Sequence, residues 1–245
     1  MSNIARQLLA YRHRLLVLAI LVLSTWLSLG LVVARWVISG HRAYGFLIWN
    51  LFLAWIPFWI ATAMYYGHLR QTRRNYLLLA LGAMWLLFFP NSPYIWTDLV
   101  HLLAGRHDPA WWCDLVMTCS FVWNGMILGL VSMYLVHRVA RDRIGFWGGW
   151  MIAVGALALG SYGISLGRFQ RFNSWDLLTK PDDVASLLTT HLLHPFSHRL
   201  PFAMASIFFA FLLLAYLTLV ALMAVGREEG MALLEDSSSR RAAPQ

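Results

Sequence analysis

Apolar residues gather in six long blocks, near residues 15–37, 44–66, 76–97, 111–136, 147–166 and 200–225, with short polar clusters between them. A helix needs about 20 mostly apolar residues to cross a hydrocarbon core, and each block meets that length. Trp36, Trp49, Trp96, Trp111, Trp112 and Trp147 fall near block ends, where amphipathic rings settle at the headgroup level. The pattern predicts an all-α integral membrane protein with six transmembrane helices. It forms a single polytopic domain over residues 1–226, followed by a polar, Ser-rich cytoplasmic tail over 227–245 expected to be disordered. The basic start of the chain leads into an apolar block too long for a cleaved leader, so the first span is read as retained.

Two places depart from this regular alternation. In the third block, Pro90 and Pro93 bracket Asn91 and Ser92. Each proline removes a backbone donor and crowds the carbonyl four residues back. Pro90 lies about 20 Å along a core of about 30 Å, counting from Tyr76, so the third helix is expected to break in its outer half. Irregular backbone at that depth survives only inside protein or against a watery cavity, and Asn91 and Ser92 are suited to satisfy the freed groups. The second departure is the long connection over residues 167–199. Thr179, Pro181, Asp182 and Asp183 make a helix start there, and Val184, Leu187, Leu188 and Leu192 supply an apolar stripe that Pro195 ends. That helix is too short to cross, and is expected to lie along the interface between helices five and six.

Composition agrees with the pattern. The 245 residues are 60% hydrophobic and only 12% charged, against about a quarter charged in a soluble domain. The net charge of +8 would raise the question of nucleic acid in a soluble chain. Here the cations sit between apolar blocks, so the partners expected are membrane lipids and not nucleic acid. Lys and Arg number 12 on one set of alternate segments and 7 on the other. By the positive-inside rule both termini are expected in the cytoplasm. Cys113 and Cys119 rise about 9 Å apart on a helix and face different ways, too far for a disulfide.

With that topology, distant polar residues converge at the outer face. Asp98 and His101 stand i, i+3 and share a helical face; they are the candidate catalytic acid–base pair. The structural alternative is an interfacial cap in which Asp98 pairs with Arg168 or Arg171. Arg168 and Arg171, with phenylalanines between, would grip an anion through bidentate contacts, or else snorkel in the headgroup zone. Asn50, Asn91, Asp114, Asn173 and Asp176 complete the candidate substrate-binding set. His191, His194 and His198 fall on one stripe on paper, but Pro195 interrupts it, and no metal is assigned. No GxSxG, HExxH, Walker loop or dinucleotide fingerprint is present. Gly125 and Gly129 form a GxxxG, and Gly160 and Gly163 continue a small-residue stripe. Such faces bring helices close within a chain, and the same faces would serve a homo-oligomer.

The segments WNLFLAWIP (49–57), FFPNSPYIWTDLVHL (88–102) and GRFQRFNSWDL (167–177) together resemble the bacterial membrane proteins of the domain of unknown function 1361 family. The resemblance runs from span two to span six, with one departure at Ser92, where the family pattern has alanine. It implies a multi-pass protein of the bacterial cytoplasmic membrane and carries no activity or cofactor. Three classes of function stay open: binding or processing of a lipid-linked or anionic substrate, a structural or assembly role, and small-solute transport through the interrupted helix.

Overall fold

The structure is a computed structural model that describes residues 3–40, 42, 44–70, 75–105, 111–193 and 199–242. The described residues are helical, with no strand among them. In chain order they form α1 (Asn3–Ser39), α2 (Phe46–Leu69), α3 (Asn75–Phe88), a single turn α4 (Asn91–Tyr94) and a 3-10 segment (Ile95–Gly105). They continue as α5 (Trp111–Gln170), a short α6 (Asp176–Thr179), α7 (Pro181–Leu193) and α8 (Arg199–Ala242). Five of these helical stretches are long and apolar enough to cross a membrane. The outermost ones turn bare apolar side chains outward. Leu23 and Trp26 on α1 are 68% and 67% exposed, and Ile207 and Leu214 on α8 are 69% and 64%. Apolar surface on that scale needs a nonaqueous neighbour.

α5 has 60 residues and would run about 90 Å if straight. It does not, because Gly145 takes φ 83° and ψ 176°, a conformation essentially reserved for glycine. The chain doubles back there. A Cβ placed on Gly149 would lie 2.9 Å from the Cα of Arg141, so the two arms, 111–144 and 146–170, are in backbone contact at the turn. The sequence expects a polar connection between its fourth and fifth blocks, whereas the structure keeps it helical up to this one residue. No proline or glycine interrupts residues 137–144, and Gly145 is the first that can take a positive φ. At the other end of the chain, α8 continues as helix through Ala242, past the start of the expected frayed tail. Met, Ala, Leu and Glu in residues 228–235 are good helix formers.

Polar contacts sort the residues onto the two ends of the bundle expected from alternating crossings. At one end Arg14 Nη2 donates to Tyr65 Oη at 3.1 Å. There too Arg143 donates to His68 Nδ1 and Asn75 Oδ1, both at 3.0 Å, and His68 meets Asp142 at 3.3 Å. At the opposite end Arg35 pairs with Asp114, Asn50 with Asp98, and Asn91 with Ser174. Between them lie two apolar clusters, one around Trp85, Met133, Leu157 and Tyr216, the other around Leu47, Leu51, Phe121 and Leu128.

The third long apolar stretch changes its helical character at the prolines. α3 stops at Phe88, and Pro90–Pro93 turn the chain into α4 and then the tighter 3-10 segment. The glycine faces of α5 receive it. A Cβ on Gly125 would stand 2.5 Å from the Ser92 carbonyl oxygen, one on Gly129 3.1 Å from Ser92 Cβ, one on Gly160 2.7 Å from the Phe89 ring, and one on Gly163 2.8 Å from Pro90 Cγ. These glycines therefore serve packing inside the chain.

A candidate ligand cavity beside the broken helix

The break leaves a space between α2, α3, the 3-10 segment and the end of α5. It is a cavity of about 890 Å³, within the range of pockets that enclose small molecules. Asn50, Asn91, Asp98, His101, Arg168, Arg171 and Asn173 all line it. Seven residues that the sequence singled out from three separate stretches thus meet in one place. Apolar walls complete it: Phe46, Trp49 and Leu53 from α2, Ala83, Leu86 and Leu87 from α3, and Val184 from α7.

Each polar group is positioned by a local cause. Asn91 uses both amide hydrogens as a brace, donating to the Phe88 carbonyl at 3.0 Å and to Ser174 Oγ at 2.8 Å, so only its Oδ1 is left for a ligand. Ser92 Oγ donates to the Ala54 carbonyl on α2 at 2.9 Å. Pro57, three residues on, has already opened that helix by removing the amide that would bond the Leu53 carbonyl. In the 3-10 segment three residues make one turn, so Asp98 and His101 lie one above the other on the cavity side. Asp98 is 2% exposed and accepts from Asn50 Nδ2 at 2.7 Å. His101 is exposed, its ring 4.8 Å from that of Phe46. The expected alternative pairing of Asp98 with Arg168 or Arg171 is replaced by this Asn50 bond. Arg168 is still close enough for its charge to act on both Asp98 and His101.

The two arginines differ from Asp98 and Asp114, which are held by side-chain partners. Among the described residues neither Arg168 nor Arg171 makes a hydrogen bond or ion pair, yet both line the cavity. Arg171 follows the last residue of α5 with φ 58°, the left-handed conformation that ordinarily selects glycine at a helix end.

The family model described as Protein of unknown function (DUF1361) matches residues 49–218, which takes in every wall of the cavity but the tip of α2. The chain belongs to the DUF1361 family. No curated protein and no solved structure matches it. The DUF1361 match contains all three segments on which the resemblance rested.

Two expected site residues lie elsewhere in this DUF1361 protein. Asp114 is outside the cavity, held by Arg35 with Nε–Oδ1 at 2.5 Å and Nη2–Oδ2 at 3.2 Å. Asp176 is buried and turned back to accept the Asn173 backbone amide at 2.7 Å, shaping the loop that carries Asn173. Arg35 lies just inside an apolar block, and that position is the only sequence signal of its buried partner. Ser174, Tyr94 and Phe172, adjacent to recognised motif residues, also belong to the cavity wall. Of the three histidines at helical spacing, His191 is buried with Nδ1 2.7 Å from Tyr162 Oη. His194 and His198 lie outside the described residues. No grouping able to hold a metal occurs among the described residues, and Cys113 and Cys119 are free and exposed.

Proposed function

We propose that this protein crosses the bacterial cytoplasmic membrane six times, with the two arms of α5 as separate crossings and both termini in the cytoplasm, and that its outer-face cavity binds a phosphate-bearing amphiphile. The observation that carries the reading is the pair of guanidiniums, Arg168 and Arg171, lining a cavity of about 890 Å³ without a carboxylate partner. Arginine is suited to bidentate contacts with phosphate oxygens. The α3 side of the same space offers only Ala83, Leu86, Leu87 and Pro90, a wall that fits an acyl or isoprenoid chain. A headgroup would meet Arg168 and Arg171 while its tail ran along α3 toward lipid.

Asp98 and His101 extend the proposal to proton chemistry on the bound headgroup. The carboxylate is fixed by Asn50 and the imidazole is accessible, so one side chain is oriented and the other can exchange with solvent. Orientation rests on the excess of Lys and Arg at the opposite end, 12 against 7.

The test is a titration of purified protein in detergent with a short-chain phosphatidic acid and, separately, with the diacylglycerol of the same tails. We expect the phosphate lipid to bind and the neutral one not to, and the Arg168→Gln/Arg171→Gln double variant to lose about tenfold or more in affinity. Equal binding by wild type and double variant sinks the proposal. A periplasm-sensitive reporter inserted beside Trp175 checks orientation: activity only in the cytosol would overturn the topology.

A further inference from the structure

A second, smaller cavity lies at the opposite end of α5. Trp150 and Arg168 are eighteen residues apart on one arm, about 27 Å at 1.5 Å per residue, so the two spaces are separate. This cavity measures about 150 Å³ and is lined by His137, Arg138 and Arg141 on the first arm, Trp150 on the second, and Arg227 on α8. The reversal at Gly145 is what brings the arms together here, with Gly149 against the backbone of Arg141.

Three features set this place apart from a belt of snorkelling cations. First, His137 is 6% exposed, and its Nε2 is buried with no hydrogen-bond partner among the described residues. Its Nδ1 lies 2.6 Å from the hydroxyl of Tyr216, a fully buried residue. That hydroxyl has no other acceptor among the described residues, so the phenol donates, Nδ1 accepts, and the neutral ring carries its proton on Nε2. A buried N–H donor without an acceptor is costly, and a ligand oxygen would relieve it. Second, neither Arg141 nor Arg227 makes a hydrogen bond or ion pair among the described residues. Arg141 is near enough for its charge to act on both His137 and Tyr216. Third, Trp150 packs edge-on to the His137 ring, with centroids 4.6 Å apart, fixing the imidazole at the cavity wall.

We propose that this second cavity is a phosphate oxyanion site. Arg141 and Arg227 supply charge, and His137 Nε2 supplies a directed neutral donor. The phosphate belongs either to the headgroup of an anionic phospholipid or to a small soluble phosphate, and the experiment separates these sources.

Thermal unfolding of the full-length protein in neutral detergent is followed while inorganic phosphate or dioleoyl phosphatidylglycerol is added, with dioleoyl phosphatidylcholine as reference. All arms are repeated in the Arg168→Gln/Arg171→Gln background, which removes the cations of the first cavity. Stabilisation by phosphatidylglycerol alone assigns a lipid headgroup, and stabilisation by inorganic phosphate assigns a soluble ligand. In either case Arg227→Gln should weaken the apparent affinity about tenfold or more, and His137→Phe should weaken it too. Arg227 is exposed at the end of the apolar part of α8, so its variant stays informative if the His137 variant does not fold. Arg70→Gln, an exposed cation outside the cavity, should have no effect. No stabilisation over phosphatidylcholine, an effect confined to proteins that retain Arg168 and Arg171, or equal losses in the Arg70 and Arg227 variants would each overturn the site.

Discussion

Arg171 carries a conformational cost that its replacement can expose. It stands directly after α5 with φ 58°, and an L-residue held in the left-handed region costs about 1–2 kcal/mol. Glycine removes that cost but brings about 0.5–1 kcal/mol of extra chain entropy to lose on folding. Arg171→Gly should therefore raise stability by roughly 1 kcal/mol or somewhat less, about fivefold in the unfolding equilibrium. The same change deletes one of the two guanidiniums that line the larger cavity without a partner among the described residues. A charge-assisted bond to an anion contributes about 1.5–3 kcal/mol, so phosphatidic acid affinity should fall about tenfold or more. Arg171→Ala removes the same charge and keeps the strain. The two variants should bind alike and differ in stability. SDS-driven unfolding followed by tryptophan fluorescence reads the first quantity, and lipid titration reads the second. If Arg171→Gly unfolds more easily than wild type while binding is unchanged, the guanidinium is a brace for the loop and the argument fails.

The same unfolding assay tests the architecture. Gly125→Ala drives a methyl against the Ser92 carbonyl and should cost about 1–3 kcal/mol, whereas Gly30→Ala meets open space and should be neutral or gain up to about 1 kcal/mol; equal effects would contradict the close approach of the broken segment. Asp114→Asn leaves Arg35 beside a neutral partner in a site where the side chains are 12% and 3% exposed, and should cost about 3 kcal/mol. The double variant Arg35→Met/Asp114→Leu should recover part of it, and failure of any recovery would argue against the pair. Gly145→Ala and Gly145→Asn should both cost about 1–3 kcal/mol, because φ 83° with ψ 176° suits neither residue; an Asn variant as stable as wild type would mean a different turn. Asn91→Ala strips the brace from the Phe88 carbonyl and should cost about 1–3 kcal/mol, more than Ser174→Ala, which removes only one end of that brace.

How much of this was readable in the chain depends on which interaction decides each feature. Hydrophobic length alone marked the apolar helices, because lipid leaves the backbone no other partner. Pro90 and Pro93 marked the break for the same reason. Polar residues near the same ends of alternating blocks share one end of the bundle, which is why Asn50, Asn91, Asp98, His101, Arg168, Arg171 and Asn173 were found together. What escaped was pairwise. Whether Asp114 faces the cavity or Arg35 depends on the rotation of α1 against α5, and no spacing within either segment encodes it. The helical reversal at Gly145 was missed because polarity was read as loop, although residues 137–144 contain nothing that stops a helix. The glycine stripes were recognised as contact faces, but their partner was a segment of the same chain that becomes available only once α3 has broken.

The distinction between polar groups that hold the fold and those left for a ligand follows from counting the backbone groups that the break sets free. The Phe88 carbonyl takes the Asn91 amide, and the Phe89 carbonyl takes the Ser92 N–H at 3.2 Å. The Pro90 carbonyl takes the Tyr94 N–H at 2.9 Å, and the Tyr94 carbonyl takes the Thr97 hydroxyl at 2.8 Å. Ser92 anchors the turn to α2 through Ala54. Asn91, Ser92 and Thr97 thus complete the local structure, as irregular backbone inside a bilayer demands. Asp98, His101, Arg168 and Arg171 satisfy none of these groups. Arg168 is half-buried and Arg171 exposed at the cavity wall, and a half-buried cation without a carboxylate partner is unfavourable in low dielectric. In the proposed function a negatively charged ligand pairs them, beside a carboxylate already held by Asn50, since no contact among the described residues does so.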